Sequence, residues 1–236
     1  MSSLNEFSQP IGRPVTWVPA QRPQARAFTG RAVTLKPLTP GHTDALFSAL
    51  GAYAEVWTYL SAPPPASRSD MARIVDSLFG EDRIAFAVQD PSGRVHGTLS
   101  YLRIQPTVGS IEVGWVAFAP SLQRTPATTE AHYLLMRHAF EDLGYRRYEW
   151  KCDSLNAPSR VAAARLGFVE EGTWRNALTY KGRNRDTTWF SITDDEWPSV
   201  KAGLEAWLAE ENFDEDGAQR RSLAELRASL GRISGT

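Results

Sequence analysis

The chain has 236 residues, of which 42% are hydrophobic and 22% are charged, as is typical of a folded globular protein and not of a disordered one. Its 26 Lys and Arg residues balance 27 Asp and Glu residues, so bulk charge gives no reason to expect binding to nucleic acid or to a membrane. The single cysteine and four scattered histidines indicate a reduced protein without a metal site. Without a signal peptide or a membrane-spanning run, we expect a cytoplasmic protein.

Composition divides the chain into three parts. Residues 1–30 contain several prolines and are expected to form an extended N-terminal arm. Residues 31–193 are long enough for one domain with its own core. Residues 194–236 are rich in Ala, Leu, Glu and Arg and predict a helical extension, with one or two helices around an acidic break.

Hydrophobic periodicity and turn residues predict the elements of the central part. In chain order they are a strand at 31–36, helices at 42–53 and 69–79, strands at 84–88, 95–104 and 111–118, a helix at 127–143, a strand at 147–153, a helix at 157–166, and a hairpin of 168–180 with 187–192 turning at 181–185. This order of hairpins first and helical crossovers later predicts one α+β domain with a mixed sheet.

Several short motifs follow one another in the second half of the domain. They are EVGWV at 112–116, TEA at 129–131, HAFEDLG at 138–144, NAPS at 156–159 and RLGF at 165–168. In this order they resemble the GNAT N-acetyltransferases, and among them the RimJ/RimL type that modifies the N-termini of ribosomal proteins. The resemblance extends over residues 31–192. It implies the GNAT fold, a mixed, mostly antiparallel sheet of about seven strands flanked by helices.

The resemblance also implies a site for acetyl-CoA between the fourth and fifth strands of that fold. The loop after the fourth strand normally carries small residues whose backbone N–H groups, with a helix N-terminus, hold the pyrophosphate. Here Pro126 stands where a glycine is expected, which removes one donor. The residues implied to bind the cosubstrate are Trp115, Val116, Ala117, Gln123, Arg124, Thr125, Ala127, Thr128, Thr129 and Asn156. The alternative is a loop in which Thr125 and Pro126 merely begin a helix.

Three residues are candidates for the chemistry. Strand alternation puts Glu112 opposite the face of Ile111, Val113 and Trp115, and the resemblance implies that an acidic residue there accepts the proton of the amine. Its alternative role is that of a solvated or salt-bridged strand residue. The resemblance implies that Asn156 contacts pantetheine or a water.

One helical turn beyond Asn156, the hydroxyl of Ser159 could donate to the CoA sulfur. For both residues the alternative is capping of the helix that follows. The hydroxyl of Tyr180, on the last hairpin, could face the substrate.

These observations lead to one main hypothesis and two alternatives. The main hypothesis is N-acetylation of a primary amine from acetyl-CoA in a ternary complex, with a protein N-terminus as the first-choice acceptor because of the resemblance. The acceptor could instead be a small amine such as an antibiotic, a polyamine or an aminoacyl nucleotide. The chain could also be a non-catalytic acyl-CoA-binding or protein-interaction module. The segment from residue 194 could pack on its own domain or join two protomers as a homodimer.

Overall fold

The structure is a computed structural model and describes residues 3–233. The strands are β1 (Ser3–Leu4), β2 (Pro10–Ile11), β3 (Phe28–Thr29), β4 (Thr34–Pro37), β5 (Ile84–Gln89), β6 (Val95–Gln105), β7 (Ser110–Phe118), β8 (Arg147–Asp153), β9 (Val169–Tyr180) and β10 (Arg183–Thr193). The helices are α1 (Thr43–Leu50), α2 (Arg68–Ser77), α3 (Pro126–Arg137), α4 (Ala157–Leu166), α5 (Trp197–Leu208) and α6 (Leu223–Ile233).

A central sheet of eight strands has the order β3-β4-β5-β6-β7-β8-β10-β9. Neighbours in this sheet are antiparallel except β7 and β8, which are parallel because α3 connects them as a crossover. The short strands β1 and β2 form a separate hairpin. The expected mixed, mostly antiparallel sheet is therefore confirmed, and β3 adds a strand to the number expected.

Apolar side chains alternate between two cores on opposite faces of the sheet. On β5, Phe86 and Val88 join the larger core, while Ala85 and Ala87 join the smaller one. Residues of α3, α4, α5 and α6 complete the larger core, and residues of α1 and α2 complete the smaller one. One face of the sheet therefore belongs to the helices after β7, and the other to the two helices before β5.

The predicted elements agree with the structure most closely around β8 and α4, whose bounds are confirmed. The helix predicted to reach residue 143 instead ends at Arg137 and passes into a π-helical turn (His138–Asp142). The last hairpin turns at Lys181 and Gly182, so β10 begins earlier than predicted. The tight turn makes this hairpin longer, and its tip extends past Asp153, where the pairing of β10 with β8 ends.

The segments that flank the central part pack against it. Ala20 and Phe28 are buried in the larger core, and the indole N–H of Trp17 donates to the carbonyl of Gly144. At the other end, buried residues of α5 and α6 belong to that same core; they are Trp197, Val200, Leu204, Trp207, Leu223 and Leu226. The C-terminal helices thus pack on the same protomer's domain.

The buried carboxylate of Glu130 fixes α3 against the beginning of β4. It accepts hydrogen bonds from the backbone N–H groups of Arg31, Ala32 and Val33 at 2.7–3.0 Å. A Cβ atom at Gly30 would lie 2.3 Å from the Glu130 carboxyl carbon, so a side chain at that position would collide with it. This contact holds the helix whose N-terminus faces the site described next.

Candidate active site

Strands β7 and β8 form a fork. They are paired from Ser110 and Arg147 to Val113 and Trp150, and beyond that point the pairing stops although both strands continue. Trp115 lies one residue past Gly114 with a left-handed φ of 51°, and the pairing of β7 with β6 shifts register at the same place. Such a bulge bends a strand and breaks its ladder. The far half of β7 therefore has main-chain groups without partners on β8.

The bulge also corrects the prediction for the Trp115 side chain. Alternation placed it on the face of Ile111 and Val113, but Val116 packs on that core instead. The Trp115 side chain packs with the smaller core, with its ring centroid 6.2 Å from that of Trp57 in an edge-to-face arrangement. The prediction is wrong because a bulge shifts alternation by one residue.

The loop before α3 contains the expected pyrophosphate residues. The side-chain amide of Gln123 donates to a β7 carbonyl at 2.8 Å, and Arg124 has a left-handed φ of 61°. Thr125 is the extended residue before the helix, but its hydroxyl donates back to the Leu122 carbonyl at 2.6 Å and does not cap α3. Pro126 is the first helical residue, as predicted. The first turn of α3 thus begins without a side-chain cap.

The two threonines at this helix start have other partners. The Thr128 hydroxyl donates to the Thr125 carbonyl at 2.9 Å. The buried Thr129 hydroxyl accepts from the Arg165 guanidinium at 2.9 Å, and Arg165 in turn stacks on Trp207. A ligand here would meet the positive end of the helix dipole, although the Thr128 N–H already donates to the Thr125 carbonyl at 3.3 Å.

A polar cluster holds the other end of this loop on β6. The His96 imidazole lies between Asp90 and Ser121, with Nε2···Oδ2 at 2.8 Å and Nδ1···Oγ at 3.2 Å, and the Ala119 N–H donates to the His96 carbonyl. The order of these side chains is that of a serine hydrolase triad. Asp90 lies in the turn between β5 and β6, His96 lies on β6, and Ser121 lies in the loop before α3. We therefore assign these three side chains the role of anchoring that loop.

Glu112 lies in a buried ion-pair network just below the fork. Lys151 Nζ is 2.8 Å from Glu112 Oε2 and 2.9 Å from Glu149 Oε2, and it also lies 3.7 Å from the centre of the Trp189 ring. Arg103 Nε is 3.3 Å from the same Glu112 oxygen. Burial raises the pKa of Glu112, and Lys151 and Arg103 oppose that rise. Glu112 thus faces away from Ile111, as predicted, but as a charge partner of Lys151.

Asn156 and Ser159 lie at the start of α4 beside the fork. Asn156 Oδ1 accepts from the Ser159 N–H at 3.2 Å, which is the capping arrangement that the sequence allows. Ser159 Oγ accepts from the indole N–H of Trp150 at 2.9 Å. Since Trp150 is the last β8 residue paired with β7, this bond places the Ser159 hydroxyl at the fork. The Ser159 hydroxyl also hydrogen-bonds to Cys152, which partly offsets the rise that burial causes in the pKa of that thiol.

The opening of the fork is surrounded by residues from distant segments, which we call the cleft rim. Lys181 Nζ donates to the Trp57 carbonyl at 2.5 Å, and the Tyr180 hydroxyl donates to Asp153 Oδ2 at 2.8 Å. The Tyr59 hydroxyl donates to the carbonyl of Leu155 at 3.1 Å. The cleft rim comprises Trp57, Tyr59, Trp115, Asp153, Tyr180 and Lys181. Of these residues, only Tyr180 and Trp115 are candidates from the sequence, because no local spacing relates the others to a site.

Residues 32–169 match the model of the acetyltransferase (GNAT) domain family. The chain belongs to the GNAT acetyltransferase family. A GCN5-related N-acetyltransferase from Brucella melitensis is 44% identical, with a TM-score of 0.88 over 90% of this chain and 99% of that one. A probable GNAT acetyltransferase from Chromobacterium violaceum is 38% identical, with a TM-score of 0.75 over 81% and 100% of the two chains.

A third relative is YdaF of Bacillus subtilis, provisionally named a ribosomal N-acetyltransferase. It is 29% identical over 110 residues, which are 46% of this chain and 59% of YdaF. The match therefore spans about three fifths of this curated relative. The GNAT fold and an acyltransferase activity, both expected from the motifs, are confirmed by the family and the solved relatives.

Two further observations apply to residues 3–233 of this GNAT chain. No helix in that range combines the length and the hydropathy that a bilayer crossing requires. Within the same range, no three or more His, Cys, Asp or Glu side chains are grouped so that they could hold a metal ion.

Proposed function

We propose that the protein transfers an acetyl group from acetyl-CoA to a primary amine, with the α-amine of a protein N-terminus as the first-choice acceptor. The observation that carries this proposal is the fork between β7 and β8, next to the uncapped N-terminus of α3. The acyltransferase class follows from the family. The protein acceptor is supported by the similarity to YdaF and by the RimJ/RimL-like motifs.

The residues present fit acetyl-CoA as a cosubstrate. The main chain of residues 115–117 lies beyond the last β8 pairing, so its N–H and C=O groups can bond the amides of a linear pantetheine arm. The first-turn N–H groups of α3 and the charge of Arg124 favour a pyrophosphate. The Thr128 hydroxyl points back to the Thr125 carbonyl. Pro126 removes one N–H, but at a position where the helix itself has no partner for it.

Acetyl transfer moves the acyl carbon from sulfur to nitrogen, which requires a neutral amine and a proton for the departing thiolate. Ser159 can pass a proton on to the thiolate, because its hydroxyl lies at the fork, where its oxygen accepts from Trp150, and the proton that the amine releases returns to the Ser159 oxygen through water. Glu112 can take up the proton of the amine through water, since its raised pKa makes it a stronger base than an exposed glutamate. Lys151 would limit this effect by stabilising the carboxylate.

Thermal unfolding with and without acetyl-CoA tests cosubstrate binding. Ligand at about 100 times its dissociation constant adds about 2.7 kcal/mol of stability, which corresponds to a rise of about 5 to 11 °C in the midpoint for a domain of this size. A CoA fragment without the pyrophosphate, at the same concentration, should give a smaller rise. No rise at millimolar acetyl-CoA would contradict the proposal.

Mass spectrometry of short peptides then tests the acceptor. A peptide with an N-terminal serine should gain one acetyl group on its α-amine, and the same peptide with a blocked N-terminus should gain none. Spermidine and free amino acids serve as small-amine competitors. Acetylation of a small amine but of no peptide would reject the protein acceptor and leave the N-acetyltransferase class intact.

A further inference from the structure

Asp153 is a buried carboxylate whose hydrogen-bond donors are both neutral. The residue is 4% exposed, and its two oxygens accept from the Tyr180 hydroxyl at 2.8 Å and from the Leu155 N–H at 2.9 Å. None of the ion pairs among the residues that the structure describes includes Asp153. A buried carboxylate is costly unless a cation pairs with it. The site therefore has an anion that can accept a positively charged group.

The position of Asp153 relates it to the acceptor and not to the cosubstrate. It is the last residue of β8, three residues beyond Trp150, where the pairing with β7 ends. Alternation along β8 puts Trp150 and Cys152 in the core on the side of α3, and Asp153 on the opposite face with Lys151. A ligand at the α3 N-terminus and a ligand at Asp153 would therefore meet from opposite sides of the fork.

Cationic side chains lie close to Tyr180, but among the residues that the structure describes none of them forms an ion pair with Asp153. Lys181 and Arg185 each lie 5.8 Å from the centre of the Tyr180 ring. The Lys181 ammonium donates to the Trp57 carbonyl, and Arg185 Nε donates to the Thr187 hydroxyl. Burial, followed by the hydrogen bond to Asp153, raises the pKa of Tyr180 to about 12, so the phenol stays protonated at neutral pH. Its oxygen can accept one bond while its proton is directed at Asp153.

We infer that Asp153 and Tyr180 bind the ammonium form of the acceptor, and so select aliphatic amines that are charged at neutral pH over weakly basic aromatic amines. The inference rests on the proposed function and extends it to the acceptor. An ammonium has three donors, which the free lone pairs of the carboxylate and the phenol oxygen can accept. Asp153 determines specificity and does not take up the proton of the amine, which passes to Glu112 through water before the neutral amine attacks.

The test uses direct binding, so that it does not depend on turnover. The probes are a short peptide whose N-terminal serine is N,N-dimethylated, which keeps the charge, and the matching peptide without the amino group. Binding of each to protein saturated with CoA is measured by calorimetry. The wild-type protein should bind the dimethylated peptide at least about tenfold more tightly than the peptide without the amino group. One hydrogen bond to a charged group stabilises a complex by about 1.5 kcal/mol or more, which corresponds to that ratio of dissociation constants.

The variants are Asp153→Asn and Tyr180→Phe, and a matched pair provides the controls. Tyr133 donates to Glu205 Oε1 at 2.7 Å between α3 and α5, and its pKa is also raised to about 12. Asp153→Asn should abolish the preference for the charged peptide, and Tyr180→Phe should reduce it. Tyr133→Phe and Glu205→Gln should leave it unchanged. Acetyl-CoA binding by thermal shift should be the same in all four variants.

Each outcome separates the inference from the function on which it rests. An unchanged preference for the charged peptide in Asp153→Asn, or in Tyr180→Phe if the first variant does not fold, would overturn the inference. Peptide acetylation by the wild-type protein with no role for Asp153 would leave the proposed function standing. Binding of the charged peptide through Asp153 without acetylation of any amine would support the inference and reject the proposed function.

Discussion

Lys151 Nζ lies 2.8 Å from Glu112 Oε2, and the two side chains are only 6% and 8% exposed. Glu112 is directly opposite Glu149 in the parallel register of β7 and β8. Two like charges in that position repel each other. Lys151 lies within 2.9 Å of both carboxylates, and so one buried cation makes this pairing tolerable immediately below the fork.

Replacement of Lys151 by Met should therefore be strongly destabilising. We expect a loss of about 3 kcal/mol in the free energy of unfolding at pH 7, because the two carboxylates lose the buried cation between them and keep only the more exposed Arg103 and Arg147 as ion-pair partners. Urea unfolding measures this loss. Lys201→Met, which breaks a more exposed pair with Glu141, is the control and should cost less than about 1 kcal/mol. A small loss for Lys151→Met would show that water enters the network.

The buried His132 should make the free energy of unfolding depend on pH. Its ring is buried against Trp150 and Phe118, and burial lowers its pKa from 6.5 to about 4. Above pH 6.5 the residue is neutral in both states, so it has no effect. As the pH falls from 6.5 to about 4 the unfolded chain takes up a proton that the folded protein does not, and up to about 3 kcal/mol is lost.

His132→Phe should make the unfolding free energy less dependent on pH in that range. The new ring can pack against the same two aromatic side chains, and His132 Nδ1 has no hydrogen-bond partner to lose. Chemical unfolding at pH 7, 6, 5 and 4.5 compares the two proteins. Parallel curves for variant and wild type would assign the acid sensitivity to other groups.

A substitution at Gly97 would show how closely β6 must approach the bulge in β7. A Cβ atom there would lie 2.1 Å from the carbonyl oxygen of Ala117, and φ is 157°. We expect Gly97→Ala to cost about 3 kcal/mol from overpacking and backbone strain, and to weaken acetyl-CoA binding. Gly93, with φ 87° and no atom within 4 Å of its Cβ position, is the matched control. Gly93→Ala should cost about 1 kcal/mol and leave binding unchanged. If urea unfolding shows that Gly97→Ala and Gly93→Ala lose equal free energies of unfolding, β6 does not approach the Ala117 carbonyl closely.

Arg124 allows strain and charge to be separated in the loop before α3. Its φ of 61° is unfavourable for any residue except glycine. Arg124→Gly should raise the free energy of unfolding by about 1 kcal/mol relative to Arg124→Ala. Both variants should weaken acetyl-CoA binding by about threefold to tenfold, since both lack the cation. Thermal shift titrations measure both quantities, and tight binding by the two variants would exclude Arg124 from the phosphate site.

Local features explain why some parts of the structure could be predicted. Strand β8 follows from the alternation of Tyr148, Trp150 and Cys152, and α4 from its cap at Asn156 and its left-handed Gly167. Both signals lie within the element itself.

The features that the sequence did not predict depend on distant partners. The orientation of Trp115 depends on a bulge set by the register with β6. Lys151 meets Glu112 only because a crossover aligns two strands in parallel. The bond between Tyr180 and Asp153 joins a hairpin tip to the end of β8, and neither residue has a local pattern that indicates the other.

The contact of Arg165 with Thr129 and Trp207 has a practical consequence for shortened versions of this protein. It links the start of α3 to α5, which lies outside the segment matched by the family model. A fragment cut after residue 169 would also lack β10, the neighbour of β8 in the sheet. We expect a fragment that ends before α6 to be less stable than the full chain, because Leu223 and Leu226 of α6 are buried in the larger core.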